Sequence, residues 1–290
     1  MIYIGNHVSV SKGYLAMGRH EQKLGGNTFA FFPRNPRGGK SKQVSAEDIE
    51  ALRQFISDER FGKLVVHGAY TMNVCAAKDD IRANSREMML DDLLRLQSLP
   101  GNFYNFHPGC HVGQGTQAGV RQIAEAVADI IRETEQTSKM PLQNKVLLET
   151  MAGKGSEIGG CFEELKAILD LAVSIGGEEL RGKLGVCLDT CHVWDAGYNI
   201  QTDLDGVLAR FDDVIGLNNL CAVHLNDSKN TCGSRKDRHE QLGKGMIGAD
   251  ALCAVVRHPL LQNRPFILET PNDDTGYKQE IQTVREWMIQ

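Results

Sequence analysis

Six short apolar segments of the chain each end on an imidazole or a carboxylate. The six side chains lie roughly 35 to 45 residues apart, which is about the length of one strand, one helix and their loops. A closed ring of parallel strands would bring all six to the same end of the barrel. These residues are His67, His107, Glu149, Asp189, His224 and Glu269.

Three further residues of the same kinds lie close to this set in the sequence. His192 follows Asp189 by three residues, and Asp237 and His239 lie in the loop after His224. Nine such groups in one site predict bound metal ions, because carboxylates packed this densely would otherwise repel each other or take up protons. Nitrogen and oxygen ligands without thiolate are typical of catalytic Zn²⁺ or Mn²⁺ sites.

Each of these motifs also has a simpler interpretation. An isolated Asp189–His192 pair is more often a structural hydrogen bond than a metal site. The Asp237-x-His239 motif alone is more typical of a solvated charged loop, although an extended backbone would put both side chains on one side. Two glutamates at the ends of apolar strands, Glu149 and Glu269, favour metal binding, because a buried carboxylate needs a cation or donors.

The elements that carry these residues alternate along the chain. Short β-branched and aromatic runs predict strands near 2–8, 27–33, 63–69, 102–107, 145–150, 184–189, 220–226 and 265–270. Apolar residues at three-to-four spacing predict helices near 12–24, 46–57, 79–97, 117–137, 159–175, 203–214, 249–257 and 276–288. Eight alternations predict an α/β protein, a (β/α)8 TIM barrel formed by residues 1–290 as one domain. An open doubly wound sheet is the alternative.

Composition narrows the class of protein. The 290 residues are 41% hydrophobic and 24% charged, as in an ordinary globular protein, and no basic leader or apolar run of membrane-spanning length occurs. We therefore expect a cytoplasmic protein without membrane partners, whose eight scattered cysteines stay reduced and in which Cys191 serves packing. The net charge of −5 argues only weakly against nucleic acid, since bound metal ions would make the working face more positive.

The motifs together resemble a known family. GVCLDTCH (185–192) and VHLNDSKNTCGSRKDRH (223–239) match signatures of endonuclease IV, the family 2 apurinic/apyrimidinic endonucleases. A third signature is matched at His67, Tyr70 and Asn73, while Thr71 and Cys75 depart from it. The resemblance extends from GNHVSVSKG near the start to ILETP near the end of the chain.

This resemblance implies three zinc ions in a (β/α)8 barrel. It assigns His67 and His107 to the first ion, with Glu149 bridging to a second that also takes Asp189, His224 and Glu269. It assigns His192, Asp237 and His239 to the third. The implied reaction is hydrolysis of the phosphodiester 5′ to an abasic site in DNA, giving a 3′-hydroxyl and a 5′-deoxyribose phosphate, together with trimming of blocked 3′ ends. Glu149 and Glu269 are the catalytic carboxylates in this scheme.

The same resemblance assigns DNA contacts to two loops. RNPRGGKSK (34–42) would enter the minor groove with Asn35 and Arg37, and Tyr70 would wedge into the base stack of duplex DNA. Both loops could equally be flexible and solvated when considered alone. Lys229, Arg235, Lys236 and Arg238 are further candidates for phosphate contacts, and we expect a monomer.

Two other functions fit part of the pattern. A sugar isomerase or epimerase on a similar barrel would also place His, Glu and Asp at strand ends, but it would need neither the His192–Asp237–His239 set nor a basic loop with Arg37. A non-enzymatic metal-dependent scaffold is disfavoured, because so many ionisable ligands are costly to bury without a bound ion.

Overall fold

The barrel is built from eight parallel strands. The structure is a computed structural model that describes residues 2–289. The strands are β1 (Tyr3–Asn6), β2 (Ala30–Phe31), β3 (Val65–His67), β4 (Phe103–Phe106), β5 (Lys145–Glu149), β6 (Leu184–Asp189), β7 (Leu220–His224) and β10 (Pro265–Leu268). They are hydrogen-bonded in the order β1-β10-β7-β6-β5-β4-β3-β2. Two further short strands, β8 (Asp227–Ser228) and β9 (His239–Glu240), form a separate antiparallel hairpin.

The two ends of this strand order meet just beyond β1. His7 and Ala30 form a parallel bridge, and the Val8 amide donates to the Ala30 carbonyl at 2.8 Å. This contact joins β1 to β2 and completes the ring. The predicted (β/α)8 TIM barrel is therefore confirmed, and the open doubly wound sheet is wrong.

Helices lie between consecutive strands and cover the ring. Their buried faces follow the sequence pattern, as in the helix 116–138, where Ile123, Val127 and Ile131 are fully or almost fully buried. The helices are α1 (Tyr14–Leu24), α2 (Ala46–Asp58), α3 (Asp79–Leu96), α4 (Thr116–Ser138), α5 (Phe162–Gly176), α6 (Thr190–Ala196), α7 (Leu204–Val214), α8 (Ala249–Arg257) and α9 (Asp274–Trp287). No helix within residues 2–289 is long and apolar enough to cross a membrane.

Side chains that alternate along each strand between the inside and the outside of the barrel explain how the site is positioned. One small cluster of buried side chains, separate from the main core, takes one residue from each of seven strands: Ala30, Val65, Phe103, Leu147, Cys187, Ala222 and Ile267. Residues two positions apart on a strand point to the same side. The next inward layer is therefore Phe32, His67, Asn105, Glu149, Asp189, His224 and Glu269. An apolar floor thus lies directly beneath a layer dominated by polar and ionisable groups.

Three local features differ from the predicted elements. The helix predicted at 12–24 is interrupted at Gly13, whose φ of 102° ends a 3-10 helix at Val10–Lys12 before α1 begins. The seven-residue helix α6 follows β6 directly and was not predicted, because a short, almost fully buried helix shows no amphipathic period. The hairpin of β8 with β9 was also not predicted.

Candidate metal centre

Glu149 lies at the centre of the polar layer and is fully buried. Its Oε2 is 3.2 Å from His67 Nε2 and 3.5 Å from His107 Nε2. Its Oε1 is 3.1 Å from His224 Nδ1 and 3.4 Å from His192 Nδ1. One buried carboxylate thus lies among four imidazoles, and each of its two oxygens faces a different pair of them.

A second group of ligand atoms adjoins Glu149. Donor atoms of Glu149, Asp189, His224 and Glu269 all lie within 4.8 Å of one another. His224 Nδ1 is 3.0 Å from Glu269 Oε2 and 3.9 Å from Asp189 Oδ2. These four residues are the set that the family resemblance implied for the second ion.

A third group lies beside Asp189. Donor atoms of His192, Asp237 and His239 lie within 4.8 Å of one another. Asp237 Oδ1 is 3.2 Å from His192 Nε2 and 3.5 Å from His239 Nε2. The first predicted group is looser, since His67, Glu149 and His224 meet the same distance limit while His107 stands slightly apart and partly exposed.

The backbone that presents Asp237 differs from the prediction. The expected extended Asp-x-His segment is wrong, because Asp237 has a φ of 52°, in the left-handed region. Arg235 is also left-handed, with a φ of 54°. The Asp237 and His239 side chains nevertheless converge on one point, because the loop folds back against α6 and does not run straight.

The donor atoms fit divalent metal ions. Among residues 2–289, the buried atoms His192 Nε2 and His239 Nε2 face the Asp237 carboxylate but make no hydrogen bond. Unpaired buried polar atoms destabilise a protein unless a ligand satisfies them. The opposite ring nitrogens of His67 and His192 are fixed by backbone carbonyls, at 2.7 Å to Gly68 and 2.8 Å to Thr150. Such outer contacts are typical of metal-ligating histidines.

The ionisation of these groups follows from burial and mutual contact. Burial lowers the pKa of His107 to about 4, so this imidazole is neutral at pH 7. Burial alone would raise the pKa of Glu269, but His224 and His7 hold it well below its usual range. Burial opposes the charge of His192, yet Asp189, Asp237 and Glu149 raise its pKa well above its usual value. Without metal, protons on histidine therefore balance the buried carboxylates.

Two asparagines also belong to the site. Asn105 Nδ2 donates to Glu149 Oε2 at 2.5 Å, and Asn226 Nδ2 donates to Asp189 Oδ2 at 2.7 Å. Asn226 Oδ1 also accepts from the Glu269 amide at 2.8 Å. Sequence analysis missed both, although Asn105 precedes His107 by two residues and Asn226 follows His224 by two, so strand alternation was the available signal.

Of the remaining histidines, one lies next to the predicted ligands and the others lie away from them. His7 Nε2 lies 2.7 Å from Glu269 Oε1, next to the predicted ligands. His111 lies away from the group, where its Nδ1 accepts from the Gly115 amide before α4. His20 and His258 contact Asp274 and Asp205 at the periphery.

Cys191, which was expected only to pack in the core, lies close to the predicted ligands. Its Sγ lies within 4.8 Å of donor atoms of Asp189 and His239. Burial raises the pKa of its thiol, which keeps the sulfur protonated. All eight cysteines are free.

The loops predicted to contact DNA stand at the mouth of this site. Asn35 Oδ1 accepts from the Arg37 amide at 2.9 Å, and Tyr70 donates its amide to the Pro36 carbonyl at 2.8 Å, so the two loops are joined. Asn35 and Arg37 are exposed. Tyr70 is 52% exposed although its ring lies 5.6 Å from that of His107.

One basic residue of this loop points the other way. Arg34 is the first residue of the segment 34–42 that was expected to enter the minor groove, but it is buried. It donates to Asp92 Oδ1 at 2.7 Å, to Asp91 Oδ2 at 2.8 Å and to the Gly39 carbonyl at 2.7 Å. It therefore attaches the loop to α3 and is unavailable to a phosphate. Lys229, Arg235, Lys236 and Arg238 are exposed.

The fold and site together define a TIM-barrel protein with a multi-ligand polar centre at the carboxyl ends of its strands. Residues 20–288 match the family model described as xylose isomerase-like TIM barrel. The chain is 49% identical over 286 residues to a probable endonuclease 4 of Alkaliphilus oremlandii, covering 99% of this chain and 97% of the relative. A probable endonuclease 4 of Clostridium beijerinckii is 47% identical, covering 98% of each chain.

A solved structure extends the comparison. Crystalline endonuclease IV from Thermus thermophilus superposes with a TM-score of 0.84 at 30% identity, covering 99% of both chains. The chain belongs to the endonuclease IV family and is a nuclease, which confirms the resemblance seen in the sequence. A D-psicose 3-epimerase superposes with a TM-score of 0.65 at 14% identity, which reflects the shared barrel fold alone.

Proposed function

We propose that this chain is a zinc-dependent apurinic/apyrimidinic endonuclease of base excision repair. It hydrolyses the phosphodiester 5′ to an abasic site, leaving a 3′-hydroxyl and a 5′-deoxyribose phosphate, and it trims blocked 3′ ends. The observation that carries the proposal is the clustering of the nine predicted ligands, Glu149 and Asp189 among them, in a chain 49% identical to a probable endonuclease 4. The whole chain, 1–290, is proposed to act as a single domain and as a monomer.

The ligand assignment follows the three groups. His67, His107 and Glu149 hold one zinc ion, Glu149, Asp189, His224 and Glu269 the second, and His192, Asp237 and His239 the third, with Mn²⁺ as an alternative occupant. The unpaired Nε2 atoms of His192 and His239 support the third group, because a bound cation would satisfy both nitrogens and the Asp237 carboxylate between them. When bound, such ions lower the pKa of water and stabilise charge on phosphate oxygens.

The chain's own residues have separable roles in this proposal. Glu149 is the shared ligand that keeps two groups at a fixed separation, and Asn105 holds its carboxylate in place. Glu269 is held by His7 and His224, so that it is ionised and able to accept a hydrogen bond from the attacking water. Its side chain is 8% exposed whereas that of Glu149 is fully buried, which supports a role in orienting that water.

Recognition of the substrate is assigned to the joined loops. Asn35 and Arg37 contact the minor groove of duplex DNA, and Tyr70 inserts beside the lesion. The 52% exposure of a tyrosine ring at the mouth of a polar site supports this role, because an exposed aromatic face is available for stacking on a base. Insertion would help an abasic nucleotide leave the stack, which costs least where no base is paired.

The experiment that tests the reaction uses a duplex with one abasic analogue. We expect cleavage at that site, complete loss of cleavage after chelation and recovery when zinc is added back. A polymerase should extend the new end, because extension requires a 3′-hydroxyl. An undamaged duplex of the same sequence is the control, and cleavage of both duplexes alike would contradict lesion specificity.

The metal count is tested separately by elemental analysis after extensive dialysis. We expect three zinc ions per chain, and two in His192→Ala, because that substitution removes a ligand from the third group only. One ion or fewer in a fully active parent protein would contradict the assignment. Epimerisation of a ketose sugar by the same sample would favour the isomerase alternative.

A further inference from the structure

A buried carboxylate outside the ligand set joins two of the ligands. Asp195 lies on α6, three residues after His192, and is fully buried. Its Oδ1 accepts from the Ser228 hydroxyl at 2.7 Å, and its Oδ2 accepts from the Asp237 amide at 2.8 Å. A buried carboxylate is costly, so the hydrogen bonds from Ser228 in β8 and from Asp237 in the loop that follows indicate a specific role.

The loop of residues 229–238 wraps around the carboxyl end of α6. Gly233 donates its amide to the Trp194 carbonyl at 3.0 Å, and Arg235 donates its amide to the Asp195 carbonyl at 2.9 Å. The Trp194 indole donates to the Asn230 carbonyl at 2.8 Å. The last carbonyls of a helix have no partner within the helix, and here the loop supplies the donors.

Two residues of this loop are held in an unfavourable conformation. Arg235 and Asp237 are both left-handed, with φ values of 54° and 52°. This region is disfavoured for residues other than glycine unless surrounding contacts impose it. The amides of both residues donate to Asp195, one to its carbonyl and one to its side chain. Asp195 therefore supplies contacts that hold Asp237 facing His192, with 3.2 Å between Oδ1 and Nε2.

A second buried aspartate of the same region provides a contrast. Asp227 accepts from the amides of Gly245 at 3.0 Å and Ile247 at 2.9 Å, and these residues lie beyond the ligand loop. Asp227 thus fixes the segment that leads to α8. Of these two aspartates, only Asp195 accepts a hydrogen bond from the backbone of a predicted ligand.

We infer that Asp195 is a positioning residue for the third zinc ion, because it sets the Asp237 carboxylate against the His192 imidazole. It does not touch the ion. The inference rests on the proposed three-zinc function and adds a determinant of affinity for one ion of the three.

The test is a zinc titration against a competing chelator, which yields the number of ions and the affinity of each. Asp195→Ala removes both acceptors, and the affinity of one zinc should fall about 10- to 100-fold while the other two are unchanged. Asp195→Asn keeps the size and one acceptor oxygen but loses the charge-assisted bond, so the same affinity should fall less. Asp213→Ala is the matched control, since it removes an exposed aspartate of α7 and should not change zinc affinity.

A double-mutant cycle identifies which ion is affected. Asp237→Ala removes a ligand of the third group, and adding Asp195→Ala to it should cause no further loss. An equal fall in all three affinities would mean general loosening and would overturn the inference, as would parent-like titration of Asp195→Ala. If Asp195→Ala does not fold, Asp195→Asn decides, and parent-like binding by it is the overturning result. A parent protein that binds fewer than three ions overturns the three-zinc assignment itself.

Discussion

His7 Nε2 and Glu269 Oε1 lie 2.7 Å apart where β1 and β10 run side by side in the barrel. The other carboxylate oxygen, Oε2, lies 3.0 Å from His224 Nδ1. Glu269 is thus held from both sides, and its orientation is set by strand pairing.

This geometry predicts the effect of Glu269→Gln. The amide keeps the shape of the side chain but loses the charge that His224 and His7 stabilise, so cleavage of abasic DNA should fall more than about 100-fold without unfolding. The measurement is single-turnover cleavage in zinc-replete buffer, with circular dichroism to check the fold. Glu286→Gln, on the exposed face of α9, is the control. Parent-like cleavage by Glu269→Gln would show that Glu269 is not a catalytic ligand.

The histidine protons predict how zinc loading depends on pH. Burial opposes protonation of His192 and His224, but Asp189, Asp237 and Glu149 raise the pKa of His192, and Cys187, Glu269 and Glu149 raise that of His224, both well above the usual value. Zinc binding at pH 7 should therefore release protons, and zinc affinity should increase with pH. Calorimetry in buffers of different ionisation enthalpy measures the release, and His192→Ala should release fewer protons than the parent protein.

The same protons affect the metal-free protein. In the folded protein the pKa values of His192 and His224 lie above the unfolded value of about 6.5, so their charged imidazoles stabilise the fold below pH 6.5. This stabilisation is lost as the pH rises through the folded pKa values. The chelated protein should therefore lose stability above neutral pH to a greater extent than the zinc-loaded protein. A zinc-binding heat at pH 7 that is independent of the buffer would rule out this account.

Arg34 is predicted to stabilise the fold and not to bind DNA. Arg34→Ala leaves the fully buried Asp92 without its cation, so the free energy of unfolding should fall by about 3 to 5 kcal/mol. Arg37→Ala, three residues later and exposed, should change it by less than about 0.5 kcal/mol. Urea unfolding of the two variants makes the comparison, and equal stabilities would contradict the role given to Arg34.

Much of the fold could be predicted because strand alternation and helix periodicity are local properties. The barrel class and the convergence of residues such as His67 and Glu149 follow from their regular places at strand ends. The inward direction of Arg34 could not be predicted, because it depends on Asp91 and Asp92 almost sixty residues away.

The conformation of the loop around the third group could not be predicted from the sequence either. The left-handed conformation of Asp237 depends on a hydrogen bond to Asp195, which lies 42 residues earlier. The helix that carries Asp195 is short and almost fully buried, so no period in the sequence reveals it. Position along the chain thus indicates which residues could bind metal. Tertiary contacts decide how the loop presents Asp237 and His239.

Arg37 and Tyr70 are predicted to recognise damaged DNA without taking part in the chemistry. Both lie on the joined loops at the mouth of the site. The ring centroids of Tyr70 and Phe32 are 5.0 Å apart, and Tyr70 remains half exposed. Replacing both with Ala should raise the protein concentration needed for half-saturation of an abasic duplex about 10-fold or more, since stacking on one base alone contributes roughly 1 to 3 kcal/mol. Zinc content and single-turnover cleavage at saturation should change much less.

The control for this pair is Arg257→Ala, an exposed arginine at the carboxyl end of α8 and thus at the opposite end of the barrel. It removes the same charge as Arg37→Ala but should leave the binding of DNA unaltered. All titrations are made at one salt concentration, because phosphate-driven affinity changes with ionic strength and would hide the effect. If the double variant binds the abasic duplex as tightly as Arg257→Ala does, the two side chains are solvated loop residues and the lesion is recognised elsewhere on this face.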